Sequence, residues 1–270
     1  MKLELASKLD LERAHYFAQL GSYFDNLIDE ASIRYAFSSS LQDIWYNQAY
    51  GFSKPIDDVK GIIDKVREKS ESFRKDPCLY IIDDLVSDKL AQQLGDAGFL
   101  EFENELWMAK TELSSDVPQV NEFRVVSISS ENEIEDFKKV YRKGLPGGEV
   151  ETYINCALNH ILHPPALMEV NYLVAYSGDK AVGMYGLICF ETYSAAYAVA
   201  TIPGFQRRGV FSALSATAER MAVESGARIL FLQTVQGELG EKAFRSEGYE
   251  DAFSRLGFAP KEIVEGLTHG

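Results

Sequence analysis

Apolar positions in the second half of the chain switch between a period of two and a period near 3.6, and the switches mark out its elements. Phe123-Arg-Val-Val-Ser-Ile128 alternates as a half-buried strand does. Asn132 to Tyr141 follows with helical spacing, and Ser129 or Ser130 stands where an N-cap belongs. A second helix is predicted from Glu149 to about Leu162, stopped by Pro164-Pro165. Tyr172–Tyr176, the turn Ser177-Gly-Asp-Lys180 and Ala181–Glu191 read as a hairpin, and Tyr193–Ile202 as the next strand. Phe211, Leu214, Ala218, Met221 and Ala222 then define one face of a long helix over Phe211–Ser225. Arg228–Thr234 reads as a strand, Leu239–Glu247 as a helix, and the stretch near Asp251–Leu256 as a final strand.

The N-terminal part has apolar clusters of its own: Ile44-Trp-Tyr46, Cys78–Ile82 and Leu100–Met108. Two domains are expected for a chain of this length, with Asp116-Val-Pro-Gln-Val-Asn121 as the boundary between residues 1–117 and 118–270.

Chemistry concentrates between the Tyr193–Ile202 strand and the helix after it. Pro203 ends the strand, because it lacks a ladder donor. Gly209 lets the backbone approach a ligand where a Cβ would intrude. The free N–H groups of the first helical turn, at Val210, Phe211 and Ser212, sit at the positive end of the helix dipole and suit a pyrophosphate. Gln206, Arg207 and Arg208 add polar and cationic groups at the rim. Strand, Pro, Gln-Arg-Arg-Gly209 and helix together resemble the acyl-CoA-binding signature of the GNAT acetyltransferase superfamily. The order of elements from Glu122 to Pro260 is similar to that family's fold, and Gly248-Tyr249 stands where it usually has Gly-Phe.

The resemblance implies an α/β (or α+β) GNAT fold, a mixed and mostly antiparallel sheet flanked by helices. It implies acetyl-CoA as co-substrate, bound by Val199, Ala200 and Thr201 along the pantetheine and by Gln206, Arg207, Arg208, Gly209, Val210, Phe211 and Ser212 around the pyrophosphate. The reaction implied is N-acetylation of a primary amine on a small molecule or peptide. A non-catalytic acyl-CoA sensor, or an aminoacyl or long-chain acyl transferase of the same fold, stays open. Thr201 and Glu191 are the catalytic candidates, with Glu149 and Glu151 as further bases at the start of the second helix. Two positions depart from the family pattern. Phe211 replaces the second small residue of the cradle, and Phe244, four residues before Gly248, replaces the usual Tyr that protonates the thiolate. Lys89–Phe99 followed by Phe102–Met108 resembles the closing helix, turn and strand of a GNAT domain, so residues 1–117 are expected to be a degenerate GNAT-like half without a coenzyme cradle; an unrelated α/β cap is the alternative.

Composition adds limits. A net charge of −14 disfavours a nucleic-acid partner and suits a cationic amine. Apolar runs stay short of the roughly 18–20 residues of a membrane span, and a cytoplasmic monomer or homodimer without membrane contact is expected. Three scattered cysteines give no disulfide framework. His160 and His163 lie at i, i+3, but with no third ligand nearby they read as a helix C-terminal pair, and no metal is expected.

Overall fold

The computed structural model describes residues 3–117 and 122–267. They fall into two compact units that do not follow the expected cut at 117/118. The first gathers the chain up to Met108, the segment Gln233–Glu241 and everything from Asp251 onward; the second gathers Ala109–Leu232 and Lys242–Glu250.

The second unit carries the elements read from the sequence. β6 (Arg124–Ser127), β7 (Glu169–Ser177), β8 (Lys180–Phe190) and β9 (Tyr193–Thr201) form an antiparallel series, and β10 (Ile229–Val235) adds to β9 in parallel. Helices α4 (Glu131–Gly144), α5 (Val150–Leu162) and α6 (Val210–Glu224) pack on this sheet. Ser130 caps α4 in a capping box with Glu133, which satisfies two otherwise orphaned N–H groups. The core is apolar: Phe137 of α4 meets Tyr172 of β7 edge-on at 5.4 Å. The stretch after Met108 is anchored to α6 by Glu219, a buried carboxylate that accepts from Lys110 at 2.6 Å and from the Ser114 N–H at 3.0 Å.

The first unit is built on strands β1 (Asn26–Glu30), β2 (Ile33–Phe37), β3 (Asn47–Tyr50), β4 (Leu79–Ile82) and β5 (Phe99–Lys110), with helices α1 (Leu5–Ala18), α2 (Val59–Ser72) and α3 (Asp88–Asp96). Its sheet takes in β11 (Glu250–Pro260) between β4 and β5. The expected final strand of the C-terminal half is thus a strand of the other unit. Leu256 and Phe258 pair antiparallel with Ile81 and Leu79. Arg255 shows what fixes it there. Its buried guanidinium donates to Glu105 at 2.7 Å, to Glu12 at 3.0 Å and to the Tyr16 hydroxyl at 2.8 Å, and lies 4.6 Å from the Tyr80 ring centroid. A charge this deep is tolerable only when paired on several sides, so the cluster tolerates very little displacement of the strand. Burial raises the Glu12 pKa, opposed chiefly by Arg255. A short α8 (Lys261–Leu267), which the hydrophobic pattern did not announce, ends the described chain.

Candidate functional site

The second half of β9 is a strand with one side left open. Its parallel ladder with β10 consists of Tyr193, Ser194 and Ala195 against Ile229, Leu230 and Phe231. From Ala196 onward β9 keeps its antiparallel partner β8, and the backbone groups on the β10 side have no ladder pair. The register with β8 also slips here: Met184 faces Ala200 and Gly186 faces Tyr197, so Ala198 and Val199 together face Tyr185. This is a β-bulge, and Ala198 takes the left-handed conformation at φ 47° to make it. A bulge turns backbone donors out of the ladder, and Tyr197, Ala198, Val199 and Thr201 are all partly exposed. Such donors are what an extended amide-containing chain, or a developing oxyanion, needs. Gly144, the last residue of α4, closes one side. A Cβ there would fall 2.6 Å from that of Ala200, so only glycine lets the helix end lie against the strand.

After β9 the chain turns through Pro203–Gly209 into α6. Gly204, Arg207 and Gly209 have φ of 86°, 59° and 87°. Gly209 is the N-cap of α6, and no side chain caps the helix. The N–H groups of Val210, Phe211 and Ser212 therefore stand free at the positive end of a 15-residue helix, the arrangement that binds a phosphate. Gln206 reaches back to the Thr201 carbonyl at 3.4 Å, and Arg208 to that of Gly204 at 3.4 Å. Arg207 and Arg208 are exposed and make no ion pair among the described residues. The Ser212 hydroxyl donates to Glu247 at 2.6 Å, so Ser212 offers an anion its backbone N–H alone.

Phe211 does not crowd the cradle. Its ring turns sideways to meet Phe244 of α7 (Leu239–Ser246) edge-on at 5.1 Å, and Phe244 meets Tyr249 in turn at 5.5 Å. The series ends where the Tyr249 and Tyr185 hydroxyls share a hydrogen bond at 3.2 Å. Both phenols have pKa values raised by burial, Tyr249 well above the usual value.

The structure separates the two catalytic candidates. Thr201 is at the open end of β9, whereas Glu191 is exposed in the turn between β8 and β9, at φ 49°, beside the first residue of the strand. Nine residues of strand put roughly 25–30 Å between them, so Glu191 is not brought to Thr201. Glu151 is committed to Arg142, which donates to both its oxygens at 2.5 and 2.9 Å and holds its pKa down. Glu149 is different. It is the N-cap of α5, and its Oε2 is buried with no hydrogen-bond partner among the described residues. It ends the five-residue connection that leaves Gly144 beside Ala200. Sequence named Glu149 only as one of several carboxylates; its lack of a partner has no sequence signal. His160 and His163 diverge. His163 is exposed at the end of α5, whereas His160 is fully buried, with its pKa down to about 4 because burial disfavours the cation.

Residues 135–245 match the family model described as acetyltransferase (GNAT) family. No curated protein matches the chain. Among solved structures, a GCN5-related N-acetyltransferase from Kribbella flavida superposes with a TM-score of 0.68 at 14% identity, over 93% of this chain and 95% of that one. One from Sphaerobacter thermophilus gives 0.62 at 12% identity, over 87% and 82%. A tandem GNAT protein from the clavulanic acid biosynthesis pathway gives 0.56 at 11% identity, over 84% and 77%.

Proposed function

We propose, from the match of residues 135–245 to the acetyltransferase (GNAT) family model, that this protein moves the acetyl group of acetyl-CoA to a primary amine of a small molecule or peptide. The observation that carries this reading is the continuity of the unpaired, bulged half of β9 with the uncapped first turn of α6. Free strand amides at Val199–Thr201 suit the pantetheine, and the N–H groups after Gly209 suit the pyrophosphate. The amine nitrogen attacks the thioester carbonyl, the carbon–nitrogen bond forms, and the carbon–sulfur bond breaks to release the thiolate. A backbone N–H of the bulge holds the oxyanion between the two events.

An amine with a free pKa near 10.4 must lose a proton before it attacks. Glu149 takes that role in place of Glu191: an unpartnered carboxylate oxygen at the α4–α5 connection attracts the ammonium and accepts its proton. Phe244 has no proton for the thiolate, so the leaving group is protonated from solvent or by the proton the amine has shed. The net charge of −14 favours a cationic acceptor over nucleic acid, and the protein is assigned to the cytoplasm as a monomer or homodimer. Among the described residues no helix is long and apolar enough to cross a membrane.

Incubation of the full chain with acetyl-CoA and a mixed panel of amines and peptides, read by mass, should show a gain of one acetyl group on a member of the panel. In Glu149→Gln the rate should fall by about 100-fold, the size of a general-base contribution, while Glu191→Gln stays at wild type. CoA binding with no acetylated product would identify a coenzyme-binding sensor instead.

A further inference from the structure

A second polar concavity opens beside the cradle. It is a cavity of about 520 Å³ between the α4 residues Asp136, Lys139 and Lys143, the β7–β8 turn with Lys180, and Ile202 just after β9. Its charges are unequally committed. Asp136 accepts from Lys139 at 2.9 Å and from the Tyr176 hydroxyl at 3.1 Å, which satisfies one carboxylate and one ammonium. Lys143 and Lys180 make no ion pair among the described residues, and Asp179 lies exposed in the turn. Two unpaired ammonium groups converging on one hollow are unexpected in a chain of net charge −14, where carboxylates outnumber cations by 41 to 27. Their mutual repulsion is relieved when an anion enters.

The hollow also touches the coenzyme loop. The Lys180 ammonium lies 4.8 Å from the centroid of the Phe205 ring, and the Arg208 guanidinium lies 5.2 Å from the same ring. Phe205 thus links the hollow's lysine to the cradle's arginine, and its partly exposed ring offers a flat apolar surface between them. Ile202 supplies the wall on the strand side.

We infer that this hollow receives the phosphorylated ribose of the coenzyme, with Lys143 and Lys180 holding the 3′-phosphate. The inference rests on the coenzyme reading above. A pyrophosphate at the α6 N-terminus places the adenosine at the mouth of the loop. The 3′-phosphate is the coenzyme's remaining anionic group, one sugar away, and is largely dianionic at neutral pH. Ammonium groups suit it as strongly hydrated point charges. Volume agrees, since ligand-holding clefts run from about 300 to 1,000 Å³.

Calorimetry with CoA, 3′-dephospho-CoA and inorganic phosphate on the full chain separates the outcomes. Wild type should bind 3′-dephospho-CoA up to about tenfold more weakly than CoA, in line with two solvent-exposed charge contacts. Lys143→Ala/Lys180→Ala should bind both nucleotides with the affinity that wild type has for 3′-dephospho-CoA. Lys143→Arg/Lys180→Arg should keep much of the preference. Equal binding of the two nucleotides by wild type overturns the inference and leaves the cradle intact. A preference retained in the double alanine variant also overturns it. Inorganic phosphate that binds wild type but leaves CoA affinity unchanged assigns the lysines to a separate anion. If neither nucleotide binds, the coenzyme reading itself fails and the inference with it.

Discussion

The Phe211 ring stands edge-on to Phe244 at 5.1 Å, so the two residues that break the expected motif pattern satisfy each other. One bulky side chain leaves the phosphate cradle, and the other fills the place of a proton donor with packing. Phe244 is 7% exposed. Phe244→Tyr puts a hydroxyl at this buried site, where an unpaired one costs about 1–3 kcal/mol. The variant should melt lower than wild type by several degrees, and acetyl transfer should not fall beyond what the loss of folded protein explains. Stopped-assay rates corrected for folded fraction check this. A specific rate more than about tenfold lower would mean that the Phe244 ring positions the thioester.

Gly209 holds φ 87° as the N-cap of α6, a conformation a β-branched residue adopts only at a cost of about 1–3 kcal/mol. Gly209→Val should therefore shift the first turn of the helix and lower CoA affinity by at least about tenfold. Gly226→Val is the matched control. Its φ is 84°, just beyond the other end of the same helix, and a Cβ there meets open space. Both variants should lose similar thermal stability, but Gly226→Val should bind CoA as wild type does. Equal affinities in a titration of the two would remove the pyrophosphate from this turn.

Arg207 and Arg208 are exposed and without ion pairs among the described residues, so they act through screened charge. Exposed charge contacts are worth about 1 kcal/mol or less each, and the Debye length shrinks to about 3 Å at 1 M salt. The double alanine variant should bind CoA about fivefold more weakly than wild type at low salt, and the two should converge at high salt. Parallel salt slopes would show that the guanidinium groups do not face the coenzyme.

In the first unit, Glu103 has its pKa raised to about 7, chiefly by burial and then by the nearby Glu105; the Tyr80 hydroxyl (2.5 Å) and Trp45 Nε1 (3.1 Å) donate to it and partly offset the rise. The folded state thus binds a proton that the unfolded state, near 4.5, releases earlier. Stability from this group is fully present below about pH 4.5 and is lost as pH rises through about 7. Glu103→Gln keeps the acceptor oxygen and removes the titration. Its melting temperature should match wild type near pH 5 and exceed it near pH 8. Melting curves with the same offset at both pH values would show that Glu103 titrates normally.

Local chemistry made much of the second unit legible in the sequence. Alternation in β7–β9, an N-cap serine at 129 or 130, Pro203 and Gly209 each act within a few residues of chain, and each placed its element to within a few positions. The same locality explains why the cradle could be read, since a helix N-terminus preceded by a left-handed glycine is a short-range property. The position of Glu191 between two strands was legible too, and the length of β9 then keeps it away from Thr201. Two features were decided only by packing. Glu149 stands out from Glu151 because Arg142 pairs with one and not with the other. The destination of β11 was the largest surprise. Its apolar pattern fits a core strand of either half, and what selects the first unit is Arg255, whose partners Glu105 and Glu12 lie 150 and 243 positions away along the chain. A buried guanidinium goes where its carboxylates are, and no local pattern records where that is.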